Sequence, residues 1–252
     1  MTLTRSTPPH LVPDKPDGTA ADRSPSIAAL FDSSARHYDR VGRSLHLGSS
    51  PWYRRRALRR AGLRPGMKLL DVATGTGLLA REAVSVLGGL GRVIGVDPSL
   101  GMLSEARKAL TSPLAGGWAE ALPFRDDVFD MLSMSYALGH VADLEVAFRE
   151  FLRVLRPGGS LVLLELARPH SAVVRWLIRI HLQQVLPRIL KFSTGARPAQ
   201  LLARHLWDTI DRCVPPETVL DILRRSGFVD VRLHVLYGLF GEYAAAKPAT
   251  QR

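Results

Sequence analysis

Lys68-Leu69-Leu70-Asp71-Val72-Ala73-Thr74-Gly75-Thr76-Gly77 is a short apolar run that ends in a turn with two glycines, and a helical pattern over 78–87 begins directly after it. Strand, glycine turn and helix in that order open a βαβ unit. The alternation continues outward. Strands are expected at 92–97, 129–134 and 160–165, and helices at 99–110 and 143–155, the latter with Val146, Leu152 and Leu155 toward the sheet. Arg156-Pro157-Gly158-Gly159 reads as a turn. A last helix at 216–226 is ended by Gly227, which can take the left-handed cap, and strands follow at 229–236 and 241–246. The fold expected is α/β, a doubly wound Rossmann-like sheet of seven mostly parallel strands with helices on both faces.

The first turn and the end of the second strand form one constellation. Gly75 and Gly77 let a ligand approach the backbone, and Asp97, twenty residues after Gly77, can accept hydrogen bonds from ribose hydroxyls. Ala80 stands where a dinucleotide fingerprint has its third glycine, an allowed variant. Asp71, just before the loop, would repel a pyrophosphate and suits a ligand bearing an ammonium group. S-adenosylmethionine carries an ammonium and a sulfonium, so the charge favours a methyl donor over NAD.

Four ordered stretches then resemble class I methyltransferases. They are 70–77, Asp97-Pro98-Ser99 with Met102-Leu103, Ala119-Glu120-Ala121-Leu122-Pro123-Phe124, and Leu155-Arg156-Pro157-Gly158-Gly159. Within that class the chain is similar to the ubiquinone/menaquinone C-methyltransferase (UbiE-type) family over roughly residues 30–245. The family pattern is carried by Phe31-Asp32-x-x-Ala35-x-x-Tyr38-Asp39, Trp52 and Val185-Leu186-Pro187-Arg188-Ile189. The resemblance implies that Thr76, Asp97, Ala119 and Ser135 line the S-adenosylmethionine site, with Tyr38 on a helix that closes over it. Ala73, Pro98, Met102 and Glu120 complete the expected cofactor-binding set with Asp71, Gly75 and Gly77. For Tyr38 and Met102, ordinary core packing is the alternative.

Two departures from the family bear on function. Trp118 replaces the polar residue the family aims at the adenine amine, and can stack on adenine or merely fill the gap. Gly139, in Tyr136-Ala137-Leu138-Gly139-His140, stands where quinone methyltransferases have an arginine linked to activating the acceptor. His140 is then the candidate catalytic base, because imidazole titrates in the useful range; a structural role is the alternative. Gly139 predicts poor methylation of demethylated quinone precursors.

The chain divides into a tail at 1–26, a cofactor-binding core with N-terminal cap helices at 27–165, a helical substrate cover at 166–212, and a segment completing the sheet at 213–252. Composition narrows the partners. Hydrophobic residues make up 46% and charged residues 23%, with one cysteine and eight scattered histidines, so no metal site is expected. Six arginines fall between Arg54 and Arg64 in a chain of net charge +11. They are either a solvated helix face or a surface for anionic lipid or acidic protein. With few aromatics among them, nucleic acid is the weaker option.

The cover pairs Val173, Trp176, Leu177 and Ile180 with Arg175 and Arg179. That suits a greasy acceptor, a peripheral membrane contact, an internal lid or a homodimer face. The function expected is methylation of a small aromatic or lipid-like acceptor, quinone precursors among them, in the cytoplasm or peripherally at the membrane. A phospholipid head-group N-methyltransferase and a non-catalytic methyltransferase-like partner subunit are the alternatives.

Overall fold

The computed structural model describes residues 31–33, 35, 36, 38, 39, 51–89, 91–166, 171–188, 207, 213–236, 238 and 240–249. The tail expected at 1–26 and most of the cover beyond 188 lie outside the described residues. Seven strands form one sheet: β1 (Lys68–Val72), β2 (Arg92–Asp97), β3 (Leu114–Gly116), β4 (Phe129–Ser135), β5 (Leu155–Leu166), β6 (Val229–Leu236) and β7 (Phe240–Ala246). Their order is β3-β2-β1-β4-β5-β7-β6. β7 runs antiparallel to both its neighbours and every other pair is parallel. Helical residues between 31 and 39 (α1) precede α2 (Pro51–Arg60). α3 (Leu78–Leu87), α4 (Leu100–Arg107), α5 (Leu144–Val154), α6 (Ala172–Ile180) and α7 (Pro216–Arg225) follow.

Strand side chains alternate between faces, and both faces are apolar. Leu69, Val93, Met131 and Val162 pack with Tyr53 and Leu58 of α2 and with Leu79 and Ala83 of α3. One residue on, Leu70, Leu132, Leu161 and Leu163 pack with Phe148 and Phe151 of α5 and Leu223 of α7. Each of those phenylalanines contributes about 1.5–3 kcal/mol by burial. They also fix the phase of α5, whose buried stripe is Leu144, Ala147, Phe148, Phe151 and Val154. Val146, expected to face the sheet, is exposed; Leu155 is buried as expected.

The sequence 156–159 is a bulge rather than a free turn. Phe129 pairs with Leu155 and Met131 with Ser160, so four residues oppose Asp130 alone. The Arg156 guanidinium donates to Asp130 at 2.8 Å. β3, a strand of three residues, is not apparent in the sequence pattern. Gly227 ends α7 at φ +102°, as expected. β1 pairs with β2 on one side and β4 on the other, so the winding reverses between β1 and β4. In open α/β sheets a ligand crevice opens at that switch point, beyond the C-terminal strand ends.

Candidate functional site

A cavity of about 660 Å³, open mouth included, lies at that switch point. Ala73 and Gly75 after β1, Asp97 and Pro98 after β2, Trp118 after β3, and Ser135 at the end of β4 all line it. Met102 of α4, Tyr38 of α1 and His140 complete the expected residues that the structure brings together. Phe31, Ser99, Tyr136 and Ala137 also line it; strand-end position was the signal for the last three. Two lining residues other than glycine, Ala73 (φ +52°) and Tyr136 (φ +56°), hold left-handed backbone. Each costs about 1–2 kcal/mol, and such strain gathers at functional sites.

Asp97 is buried at 6% exposure. Its Oδ2 accepts from the Gly75 N–H at 2.8 Å and its Oδ1 from the Ser99 N–H at 2.9 Å. Burial pushes its carboxyl up to about 6, with the nearby Asp32 charge adding to it and the two N–H donors opposing. Each oxygen keeps acceptor capacity for a ribose hydroxyl.

Asp71 does not line the cavity. It is 1% exposed, and its two oxygens accept from Thr74 Oγ1 and Ser133 Oγ, both at 2.7 Å. It braces the loop to β4 from below, and burial holds it up at about 6. The acid that guards the start of α3 is Asp39. It accepts from Thr76 Oγ1 at 2.5 Å and pairs with Arg81 at 3.6 Å. A carboxylate therefore stands beside the turn into α3, near where a dinucleotide would set its pyrophosphate. The preference for a methyl donor stands on Asp39 instead of Asp71.

Asp32 goes further at α4, where it holds a backbone N–H as well as a hydroxyl. It accepts from Ser99 Oγ at 2.5 Å and from the Gly101 N–H at 2.8 Å. α1 is thus tied to the turn before α3 and to the N-terminus of α4, and its Phe31 and Tyr38 line the cavity. Tyr38 therefore lies on a helix beside the cavity. Burial, more than the Asp97 charge, raises the Tyr38 hydroxyl to about 12.

Four other expected residues are structural neighbours of the cavity. Thr76 is taken by Asp39, and Gly77 is the tight turn into α3. Ala119 is in the core, and Glu120 accepts from the Ala142 N–H at 2.6 Å.

The arginine cluster is not one solvated face. Arg54 is 5% exposed, and its charge opposes the upward shifts of Asp71 and Tyr38. Arg55 pairs with Glu82 at 3.4 Å, and Arg60 pairs with Glu242.

The strand order and the crevice define a class I S-adenosylmethionine-dependent methyltransferase, and the cavity's lining, one carboxylate among mostly apolar side chains, fits the donor. The model of the ubiE/COQ5 methyltransferase family matches residues 19–246, and the chain belongs to that family. Demethylmenaquinone methyltransferase of Mycolicibacterium paratuberculosis is 34% identical over 230 residues, 90% of this chain and 96% of that protein. Ubiquinone/menaquinone biosynthesis C-methyltransferase UbiE of Shewanella sediminis is 34% identical over 219 residues, 84% and 86% of the two chains. A SAM dependent methyltransferase from Aquifex aeolicus superposes with TM-score 0.59 at 17% identity, covering 88% of this chain and 98% of that one, which shows the shared fold. The protein is an enzyme that uses S-adenosylmethionine, and the reading as a non-catalytic subunit falls away.

Proposed function

We propose that the enzyme methylates a ring carbon of a hydroxylated, quinol-type aromatic acceptor. The observation that carries this is the 34% identity to a demethylmenaquinone methyltransferase over nine-tenths of the chain, joined to a donor cavity lined by Tyr38, Gly75, Asp97, Met102 and Ser135 of the expected set. Asp97 would hold the ribose, with Trp118 and Met102 against the adenine. Bound S-adenosylmethionine supplies an electrophilic methyl group. The protein aligns the acceptor with it and keeps water out, with Phe31 and Tyr38 as the closing wall. His140 would touch the acceptor from the cavity rim.

The acceptor of such an enzyme is an apolar molecule, and the described surface has features to meet a lipid interface. Trp176 is 59% exposed beside the exposed Val173 and Leu177, with Arg175 and Arg179 on the same helix, α6. Trp52, 61% exposed, lies under the Arg56 guanidinium at 5.2 Å. Among the described residues no helix is long and apolar enough to cross a membrane, so the contact proposed is peripheral.

The test supplies the full chain with labelled S-adenosylmethionine and, separately, a demethylated naphthoquinol and phosphoethanolamine. Label on a naphthoquinol ring carbon is the expected result. Label on the amine alone would replace this reading with the head-group one.

A further inference from the structure

On the face of the sheet that packs against α2, two adjoining hollows lie between that helix and strands β6 and β7. They measure about 620 Å³ and 740 Å³ with their open mouths, and Arg60 and His234 line both. The first extends to Arg232, and the second to Arg56 and Trp52 over a floor of Tyr53, Leu236 and Phe240. Phe240 pairs with Leu166 of β5 and with Leu236 of β6. The apolar end of the groove therefore lies at the C-terminal edge of β5, the edge of the sheet from which the donor cavity opens.

The cations face α2 because β6 carries a bulge. Val229 pairs with Ala246 and Arg232 with Ala244, so β6 holds one extra residue there, and Asp230 takes left-handed backbone at φ +53°. Unbroken pairing would set Val231 opposite Ala244 and Leu233 opposite Glu242, and would send Arg232 and His234 to the other face. With the bulge, Val231 and Leu233 stay against the core on that other face, and Arg232 and His234 join Arg60 in the groove.

Among the described residues the single acid lining either hollow is Glu242, which is buried and paired with Arg60. No carboxylate among the described residues pairs with Arg56, Arg232 or His234. Arg56 instead lies over the Trp52 ring. Two fixed charges and an imidazole thus stand unneutralised around a groove that is aromatic and aliphatic at one end. The charge suits an anion, and the floor suits an apolar chain on the same molecule. An acidic peptide meets the charge alone.

We infer that this groove binds one anionic phospholipid, with the head-group phosphate among Arg60, Arg232 and His234 and the start of the acyl chains over Leu236, Phe240 and Trp52. Guanidinium groups donate to phosphate oxygens in pairs, and tryptophan favours the head-group level of a bilayer. The inference deepens the interfacial reading above and rests on it for the source of the ligand. A lipid held here turns the edge of the sheet where the donor cavity opens toward the membrane.

The probe is dihexanoylphosphatidylglycerol, kept below its micelle concentration and titrated by calorimetry into the full chain with S-adenosylhomocysteine. Saturable binding of one lipid per chain is expected, weakening as salt rises. Dihexanoylphosphatidylcholine and inorganic phosphate should bind about tenfold or more weakly, the first lacking net charge and the second lacking a chain to bury. Arg232→Ser should lower lipid affinity about fivefold or more, and adding His234→Ser should lower it further. Both side chains are exposed, so the core stays intact and donor affinity should not change. Trp52→Ser should weaken the lipid and leave inorganic phosphate as it was.

Inorganic phosphate that binds as tightly as the lipid overturns the inference. So does lipid affinity unchanged in the Arg232→Ser, His234→Ser double variant, since the head group then lies elsewhere on the basic surface. Polyglutamate that binds more tightly than the lipid, and loses as much in that variant, would give the groove to an acidic protein segment and overturn the lipid. If the monomeric lipid binds but anionic vesicles do not, the interfacial reading fails and the groove stands. If vesicles bind and the monomeric lipid does not, the groove fails and the interfacial reading stands.

Discussion

Gly75 and Asp97, 22 residues apart in the chain, are joined by a hydrogen bond in which the glycine N–H donates to Oδ2 at 2.8 Å. The glycine loop after β1 is therefore shaped by the same carboxylate that faces the cavity. Asp97→Ala should weaken S-adenosylmethionine binding by about 1.5–3 kcal/mol, the range for a hydrogen bond to a charged group. Calorimetry reads it. NAD should give no heat, because the Asp39 carboxylate beside the turn into α3 repels a pyrophosphate there. Heat from NAD would show that Asp39 yields to it, and an unchanged affinity in folded Asp97→Ala that the ribose is held elsewhere.

Donor affinity should depend on pH in a stated direction. Burial raises the Asp97 carboxyl from 3.8 to about 6 in the free protein. Its stability contribution is thus full below the ordinary value and is lost as pH rises through 6. A cationic, ribose-bearing ligand prefers the ionised form, so binding should strengthen from pH 5 to 7 and level off above. The slope below 6 is at most about tenfold per pH unit for one group. Asp97→Asn should flatten the profile attributable to this group; an unchanged slope in that variant assigns the dependence to Asp71.

Gly77 and Gly75 should respond differently to alanine. At Gly77, φ is +81° and an added Cβ would lie 2.3 Å from Leu110 Cδ1. Backbone strain and overpacking together should cost about 2–4 kcal/mol in urea unfolding. At Gly75, φ is +56° and nothing lies within 4 Å of the added Cβ, so only the strain of about 1–2 kcal/mol applies. Equal losses at the two positions would contradict the geometry.

Much of this was legible in the sequence, and the misses have physical causes. β1, α3 and β2 matched residue for residue because periodicity switches cleanly at glycine. β3 was invisible because Leu114-Ala115-Gly116 holds no β-branched or aromatic residue and pairs with β2 alone. Asp71 was read as facing the ligand because sequence does not give register. Only the pairing of Asp71 with Ser133 across β1 and β4 shows that a hydroxyl awaits it inside. Arg54 was counted with its exposed neighbours, although it precedes Ala57 and Leu58 by three and four residues. That spacing puts it on the buried face of α2.

The interfacial reading predicts binding to vesicles that contain anionic lipid, falling as salt rises. Replacing Trp176 and Leu177 with serine should reduce co-sedimentation without changing donor affinity. Equal sedimentation with neutral vesicles at high salt would rule out the electrostatic part.

His140 lines the donor cavity, with its ring 5.1 Å from that of Phe31 at 73°. Such edge-on pairs are worth about 0.5–1.5 kcal/mol, and this one ties the turn Leu138–His140 to the helix α1. If His140 were the base, both His140→Ala and His140→Phe would lose turnover about 10²–10⁴-fold with donor affinity constant. If the histidine instead packs the turn against α1, the two variants should separate. His140→Phe keeps an aromatic edge against Phe31 and should retain turnover within about tenfold. His140→Ala loosens α1 and should raise the donor KM together with a smaller fall in kcat. With Gly139 in place of the arginine, the unaltered enzyme should in any case turn over demethylated quinols more slowly than a family member that has it. A His140→Phe variant as inactive as His140→Ala would make the histidine the base.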